Sequence, residues 1–459
     1  MPNFKKLAKT YYETGLMALQ ELVKRNSVYD ETTISKDAPY GAGVKSALDF
    51  IAKLGKDYGF VVDQCDGRAT ELSFGDNGPL IGIYAHSDVV PVSGKWDHPP
   101  FGAEIVGEGK EAKMIGRGAS DDKGPLIASL MAIKLLKDNG LIKNFRVRLV
   151  AGGDEERGSS CLEYYFHKLK KPDSDYGFTP DAEFPLIFAE KGIVHATLTK
   201  TVDLGPILAI DGGVVSNAVC DRVVITLAKD AKLKAALAPL GNKASYDEAG
   251  DIAIVTFRGK SAHGSTPQFG ENAALAAFAF LGEFYNIDFL ARLANTLSDC
   301  NGRNFDGYTE SPNFGISKDS TYNYGIVKYD SSKKLMLTVD FRFGERGKPE
   351  ENLASLAKAT TMECQIRGKS PLLCFDKKSP LVSTLMKSYR HMTHRFFDKP
   401  MAIGGGTYAK EAKNCVAYGG TFRGHEGNIH SPNEYLYLND FYDQIAIYAD
   451  AIYALGQIK

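Results

Sequence analysis

GPLIGIYAHSD, residues 78–88, is a short apolar run that stops at a histidine and an aspartate. FRVRLVAGGDEERGS, residues 145–159, repeats the pattern: an apolar run to Gly153, then three acids in succession. Runs of this length, closed by polar or small residues, predict buried strands. Between them KGPLIASLMAIKLLK, residues 123–137, spaces its apolar side chains as a helix does. It opens on Gly124-Pro125, and proline is tolerated in a first turn. A second helix is expected over residues 160–168. Strand, helix, strand predicts an α/β fold with a mainly parallel sheet and helices on both faces. In such sheets functional groups gather at the carboxyl ends of the strands, and the polar clusters of this chain fall there.

Outward from this core, residues 1–26 read as an amphipathic helix with no apolar targeting segment. After about Val194 the texture changes. VVITLA (223–228), IAIVTFRG (252–259) and KLMLTVDFRF (334–343) predict strands, and residues 231–240, 271–284 and 350–358 predict helices. That order implies a separate, smaller α+β layer. A helix over 381–396, a short strand over 401–404 and a helix over 439–455 then return to the first texture. With 459 residues the chain is too long for one core. The expected organisation is a discontinuous α/β catalytic domain, residues 1–194 and 381–459, interrupted by an inserted α+β domain, residues 195–380.

Hydrophobic residues make up 44% of the chain and charged ones 24%, as in ordinary globular proteins. A net charge of -1 with the signs mixed offers no field for nucleic acid or an anionic membrane, and neither partner is expected. The longest apolar stretches, such as LIASLMAI at 126–133, are too short to span a bilayer. Cys65, Cys161, Cys220, Cys300, Cys364, Cys374 and Cys415 are scattered and never form a CxxC pair. They predict reduced thiols and no thiolate metal site, which fits a cytoplasmic protein.

His86 and Asp88 stand two apart at a strand end, so their side chains share a face. A carboxylate that holds a histidine ring is the usual companion of a metal ligand; taken alone, such a pair is more often a polar strand end. GRGASDDKGP (116–125) places Asp121 and Asp122 at a helix start, where acids either cap or form a hard oxygen site. Asp154, Glu155 and Glu156 repel one another and are costly at a buried strand end without a cation; a surface turn is the alternative. TPDAEFP adds Asp181, and NIHSPNEY puts His430 in a loop before the last helix. Together these residues suit zinc, with manganese or cobalt as alternatives. One bridging carboxylate would hold two ions, which can activate a shared water. A further glutamate must then take its proton, and spacing alone does not say which.

HSDVVP (86–91), Trp96, Pro100-Phe101, GRGASDDKGP, DEERGS (154–159), PDAEFP (180–185), HGSTP (263–267) and HSPNEY (430–435) occur in this order. The chain thereby resembles the co-catalytic metallopeptidases that include aminoacylases, carnosinases and dipeptidases. DAPYGAG (37–43) and PDAEFPLIFAEKG (180–192) make it most similar to the bacterial peptidase V-like dipeptidases. The resemblance implies two divalent metal ions per chain. His86 and Asp181 would hold one, Glu156 and His430 the other, with Asp121 bridging them. Asp88 would orient His86, Glu155 would be the general base, and the Asp121-Asp122 peptide would be cis. The inserted domain would be a lid whose His263 polarises the substrate carbonyl, with Asn217 and Arg342 also touching substrate. The loop Gly404 to Thr407, through Gly405, Gly406 and Thr407, would receive a substrate carboxylate. His98, His167, His195 and His425 match no functional position and are expected to be structural. The implied reaction is hydrolysis of dipeptides or short peptides. An N-acyl amino acid deacylase would use the same centre. A dinuclear phosphoesterase would want more basic clamps, and a non-catalytic metal-binding protein has no need of Glu155. A monomer and a lid-mediated homodimer are both compatible with the sequence.

Overall fold

In the computed structural model, which describes residues 2–458, the strand Leu80–His86 is buried at every position. It pairs in parallel with Arg146–Gly152, from Leu80 opposite Arg146 to His86 opposite Gly152. On its other side it pairs in parallel with Tyr176–Thr179, which is followed by Cys415–Ala417, again parallel. These four strands form the centre of the sheet, and their near-continuous apolar content is what a strand covered on both faces requires. Lys123–Asp138 packs against Leu80–His86 and is backed by Phe4–Val23 and Leu438–Leu455. Ala42–Asp57 packs against Ala69–Phe74. The sheet edges are antiparallel: Ala69–Phe74 lies beside Arg146–Gly152, Val61–Asp63 beyond it, and Ile187–Glu190 beside Cys415–Ala417. The expected parallel layer is therefore the centre of a mixed sheet. Ala69–Phe74 escapes a search for apolar runs because Thr70, Glu71 and Ser73 interrupt it.

The chain divides into two compact units. The first comprises Met1–Phe188, Phe375–Met401 and Gly406–Lys459, and the second Ala189–Cys374 and Ala402–Gly405. The division falls a few residues away from the expected 194/195 and 380/381. The reason lies in the strand Gly192–Thr201, which pairs along its whole length with Lys334–Phe343 and so belongs to the second unit. Met1 and Lys459, the outer limits of the expected catalytic domain, lie outside the described residues.

The second unit is built on an antiparallel sheet. Its order is Ala244–Ala249, Ile252–Arg258, Arg222–Ala228, Ile207–Gly212, Val327–Tyr329, Lys334–Phe343, Gly192–Thr201 and Glu363–Ser370. Burial alternates along Gly192–Thr201 and Arg222–Ala228, the mark of a sheet with one covered face. The helix Ala273–Phe284 packs on Arg222–Ala228 and Ile252–Arg258, and Val223, Ile225, Val255, Phe278 and Leu281 share the core beneath it. This is the expected α+β insertion; the additional helix Asp288–Leu297 was outside the expectation. No described helix is long and apolar enough to cross a membrane.

Candidate active site

In the first unit, His86 is the last residue of its strand and is fully buried. Its Nδ1 lies 3.0 Å from the Asp88 carbonyl oxygen, which can only accept, so Nδ1 carries a proton. Nε2 then presents a lone pair, yet it faces Asp121 Oδ1 at 3.0 Å and Asp181 Oδ2 at 3.7 Å. Two acceptors facing a third need a proton or a cation between them. His430 meets the same situation from its loop: its Nε2 is 2.9 Å from Asp121 Oδ2 and 3.2 Å from Glu156 Oε1. Each oxygen of the Asp121 carboxylate thus faces a different histidine.

The backbone places these groups. The Asp121-Asp122 peptide is cis. Asp122 sits at the N-cap of Lys123–Asp138 but makes no side-chain cap bond; its Oδ2 instead accepts from the His86 backbone N–H at 3.2 Å. Asp88 is turned toward the acidic run: its two carboxylate oxygens accept from the N–H groups of Glu155 and Glu156, at 3.2 Å each. The His86 ring is nearer the Asp88 carbonyl than its carboxylate, which stands 3.5 Å away. Asp154 is taken up by the Ser160 hydroxyl, so two of the three consecutive acids face the cluster. His86, Asp121 and Glu156 can bring one ligand atom each to within 4.8 Å of one another, and so can His86, Glu155 and Asp181.

Electrostatics of the cluster follow from this crowding. Burial, reinforced by Asp181, pushes Glu155 well above the usual carboxylate range. Burial and then Asp121 raise Asp181 to about 7. Burial also opposes ionisation of Asp121, but hydrogen bonds to His430 and His86 prevail and hold it below its ordinary value. Hydrogen bonds to Asp121 and Glu156 raise His430 to about 10. The cluster holds more carboxylates than its imidazoles can neutralise, and the donor set of imidazole and carboxylate is one that divalent metals take.

Glu434 was not anticipated. It is fully buried, and its Oε1 accepts from the N–H groups of Ser120 and Asp121 at 3.1 Å each, while Arg117 Nη1 donates to Oε2 at 2.6 Å. One side chain thereby ties the segment bearing Asp121 to the one bearing His430. Lys123, also buried, donates to the Leu22 and Arg25 carbonyls at 3.2 and 2.8 Å, and burial lowers it to about 7. The available signal was position within GRGASDDKGP and HSPNEY, although nothing in one sequence separates a buried acid from a surface one.

In the second unit, Ala218 forms an antiparallel bridge with His263, and Gly264 N–H donates to the Asn217 carbonyl at 2.6 Å. Asn217 and His263 are exposed. Arg342 is buried and meets Asp340 through two hydrogen bonds, Nε to Oδ1 at 3.0 Å and Nη2 to Oδ2 at 2.9 Å. Its Nη1 donates to the Gly404 carbonyl at 2.6 Å. The expected carboxylate loop straddles a division: Gly404 and Gly405 belong to the second unit, Gly406 and Thr407 to the first. Thr407 accepts from the Ala409 N–H at 3.2 Å and so caps a short turn. His98 and His425 pair with Glu104 and Asp440, at 2.7 Å each.

Fold and cluster together define an α/β protein with a cluster of imidazoles and carboxylates at its strand ends that could hold a metal ion, and an inserted α+β unit. The family described as peptidase family M20/M25/M40 matches residues 82–454. "Putative dipeptidase YtjP" of Bacillus subtilis is 32% identical over 458 residues, covering 95% of this chain and 96% of its own length. The M20 family metallo-carboxypeptidase Sso-CP2 from Sulfolobus solfataricus has a similar fold, with a TM-score of 0.58 at 20% identity over 97% of this chain and 99% of that one. The di-peptidase Dug1p from Saccharomyces cerevisiae gives a TM-score of 0.61 at 13% identity over 99% and 98%. The chain belongs to peptidase family M20/M25/M40. It is a metallopeptidase acting on peptide bonds.

Proposed function

We propose that the protein is a dipeptidase that uses two divalent metal ions, zinc first, with manganese or cobalt as alternatives. His86 and Asp181 would hold one ion, Glu156 and His430 the other, and Asp121 both. The observation that carries this reading is the Asp121 carboxylate, whose Oδ1 faces His86 at 3.0 Å and whose Oδ2 faces His430 at 2.9 Å. When bound, such ions supply Lewis-acid polarisation and lower the pKa of water. Glu155 takes the proton of the attacking water and hands it to the leaving amine. Its neighbour Glu156 is a ligand, and Asp88 fixes both through their backbone N–H groups. Asp88 also keeps the His86 ring in the tautomer that leaves Nε2 free to ligate.

The inserted unit acts as a lid in this reading. His263 donates to the oxygen of the scissile carbonyl. Asn217, Arg342 and the loop through Gly405, Gly406 and Thr407 receive the rest of a short peptide, including its carboxylate. Cys65, Cys161, Cys220, Cys300 and Cys364 carry free thiols, which supports a reducing, cytoplasmic setting.

The test is a panel of dipeptides, N-acyl amino acids and phosphoesters offered to chelated enzyme after Zn²⁺ or Mn²⁺ is added back. Metal-dependent cleavage of dipeptides is expected. Cleavage of acyl amino acids alone would make the protein a deacylase, and no peptide hydrolysis at full metal occupancy would overturn the proposal.

A further inference from the structure

His263 lies in a turn, His263-Gly264-Ser265, that is packed from two sides. A Cβ on Gly264 would stand 2.8 Å from both the Asn217 carbonyl and Asp340 Oδ2. A Cβ on Gly404 would stand 2.8 Å from Ser265 Cβ. Asp340 is itself held by the Arg342 guanidinium, and Arg342 Nη1 holds the Gly404 carbonyl. Asp340, Arg342, Gly404 and Asn217 thus form a frame around the turn, and only glycine fits at its two closest approaches.

Inside that frame Ser265 addresses the ring twice. Its backbone N–H donates to His263 Nδ1 at 3.3 Å, and its hydroxyl lies 2.7 Å from the same nitrogen. A backbone N–H can only donate, so a proton on Nδ1 would set two donors against each other. Nδ1 therefore holds the lone pair, the hydroxyl must also donate to it, and the ring proton sits on Nε2. We propose that Ser265 is a positioning residue that fixes His263 as an Nε2–H donor. This rests on the reading of His263 as the donor to the substrate carbonyl and supplies what that reading lacks: a reason why the ring presents a proton and not a lone pair. The neutral form is also the prevailing one near neutrality. The surrounding chain withdraws enough water from this exposed ring to lower its pKa, and Arg342 adds to the effect.

The experiment uses the full chain loaded with Zn²⁺ and labelled with ¹⁵N-histidine. Imidazole nitrogen shifts and their couplings to ring protons report the tautomer, and the His263 signals are identified by their loss in His263→Asn. The wild-type ring is expected to show one tautomer, with the proton on Nε2. Ser265→Ala removes the shorter bond and leaves Nδ1 only the longer one from the backbone N–H. A share of the Nδ1–H tautomer is therefore expected to appear and kcat to fall about fivefold, the scale of one lost hydrogen bond, with KM and metal content unchanged. Ser265→Thr, which keeps the hydroxyl, restores both. Gly404→Ala, read by resonance alone, displaces the serine and reproduces the mixed tautomers. A proton on Nδ1 in the wild type, or identical His263 signals and kcat in Ser265→Ala, overturns the inference. Wild-type turnover in His263→Asn would instead remove the catalytic reading of His263 and leave the tautomer measurement to be judged by itself.

Discussion

Two pairs of residues spaced two apart show how the same local geometry serves different ends. His86 and Asp88 end a parallel strand of the first unit, and Asp340 and Arg342 lie within an antiparallel strand of the second. In both pairs the spacing puts side chains on one face. Asp340 and Arg342 satisfy each other, so a buried charge is neutralised within one strand. His86 and Asp88 do not close on each other in that way. The ring turns its free nitrogen toward Asp121 and Asp181, and the Asp88 carboxylate turns to the Glu155 and Glu156 N–H groups. The first pair reaches into a cluster that needs added positive charge; the second frames a turn that needs none. Substitutions in the first region should therefore read out in metal and chemistry, and those in the second in stability and orientation.

The largest effect expected is in the first region. Glu155→Ala should retain its metal, measured by atomic emission, and lose about 10²- to 10⁴-fold in kcat. Comparable turnover at full metal occupancy would assign the base elsewhere. Next comes the second region. Asp340→Ala leaves the Arg342 guanidinium buried without its partner, and should cost about 3–5 kcal/mol in chemical unfolding with metal content unchanged. Replacing both residues, Asp340→Leu with Arg342→Met, should recover most of that stability, because the pair compensates its own burial. If the double variant is no more stable than the single one, the pair is not the self-contained unit described above. Asp88→Asn should weaken metal binding by about 10- to 100-fold, as the loss of groups that orient ligands does. Equilibrium dialysis checks this, and undiminished affinity would show that the acidic turn holds its shape without Asp88.

Much of this contrast was legible in the chain. The centre of the first sheet was readable because strands buried on both faces are apolar throughout, and their ends are marked by the residues that break the run. The acids at those ends were readable as a cluster because Asp154, Glu155 and Glu156 are adjacent. Which of them faces the cluster was not, since that depends on Ser160 taking Asp154. Glu434 was hidden for a related reason: its partners, Arg117 and the Ser120 and Asp121 N–H groups, are more than three hundred residues away in sequence. Arg342 was legible as a residue type but not as a partnered one, because Asp340 beside it reads equally well as a solvated strand acid. Spacing reveals which side chains share a face; it does not reveal which neighbour they choose.

The smallest effect tests that choice at His263. Partial burial, with Arg342 adding to it and Asp340 opposing, lowers the pKa of this ring from the usual 6.5. The folded chain then binds fewer protons at this site than the unfolded chain does, so its contribution to stability is present above about pH 6.5 and fades as the pH falls through the lowered value. Protonation of Nδ1 also breaks the hydrogen bond from the Ser265 backbone N–H and forces its hydroxyl to turn and accept, which acts in the same direction. Urea unfolding of wild type and His263→Gln, at steps from pH 8 to about pH 5, isolates the effect, because the many acids of the first unit titrate alike in both and cancel in the difference. The difference should be level above about pH 7 and should shift against the wild type below about pH 6.5. The ring is exposed, so solvent screening keeps the change small. A shift in the wild type's favour on acidification would mean that Asp340, not burial and Arg342, governs the ring, and that the second pair is not as fully neutralised as its hydrogen bonds imply.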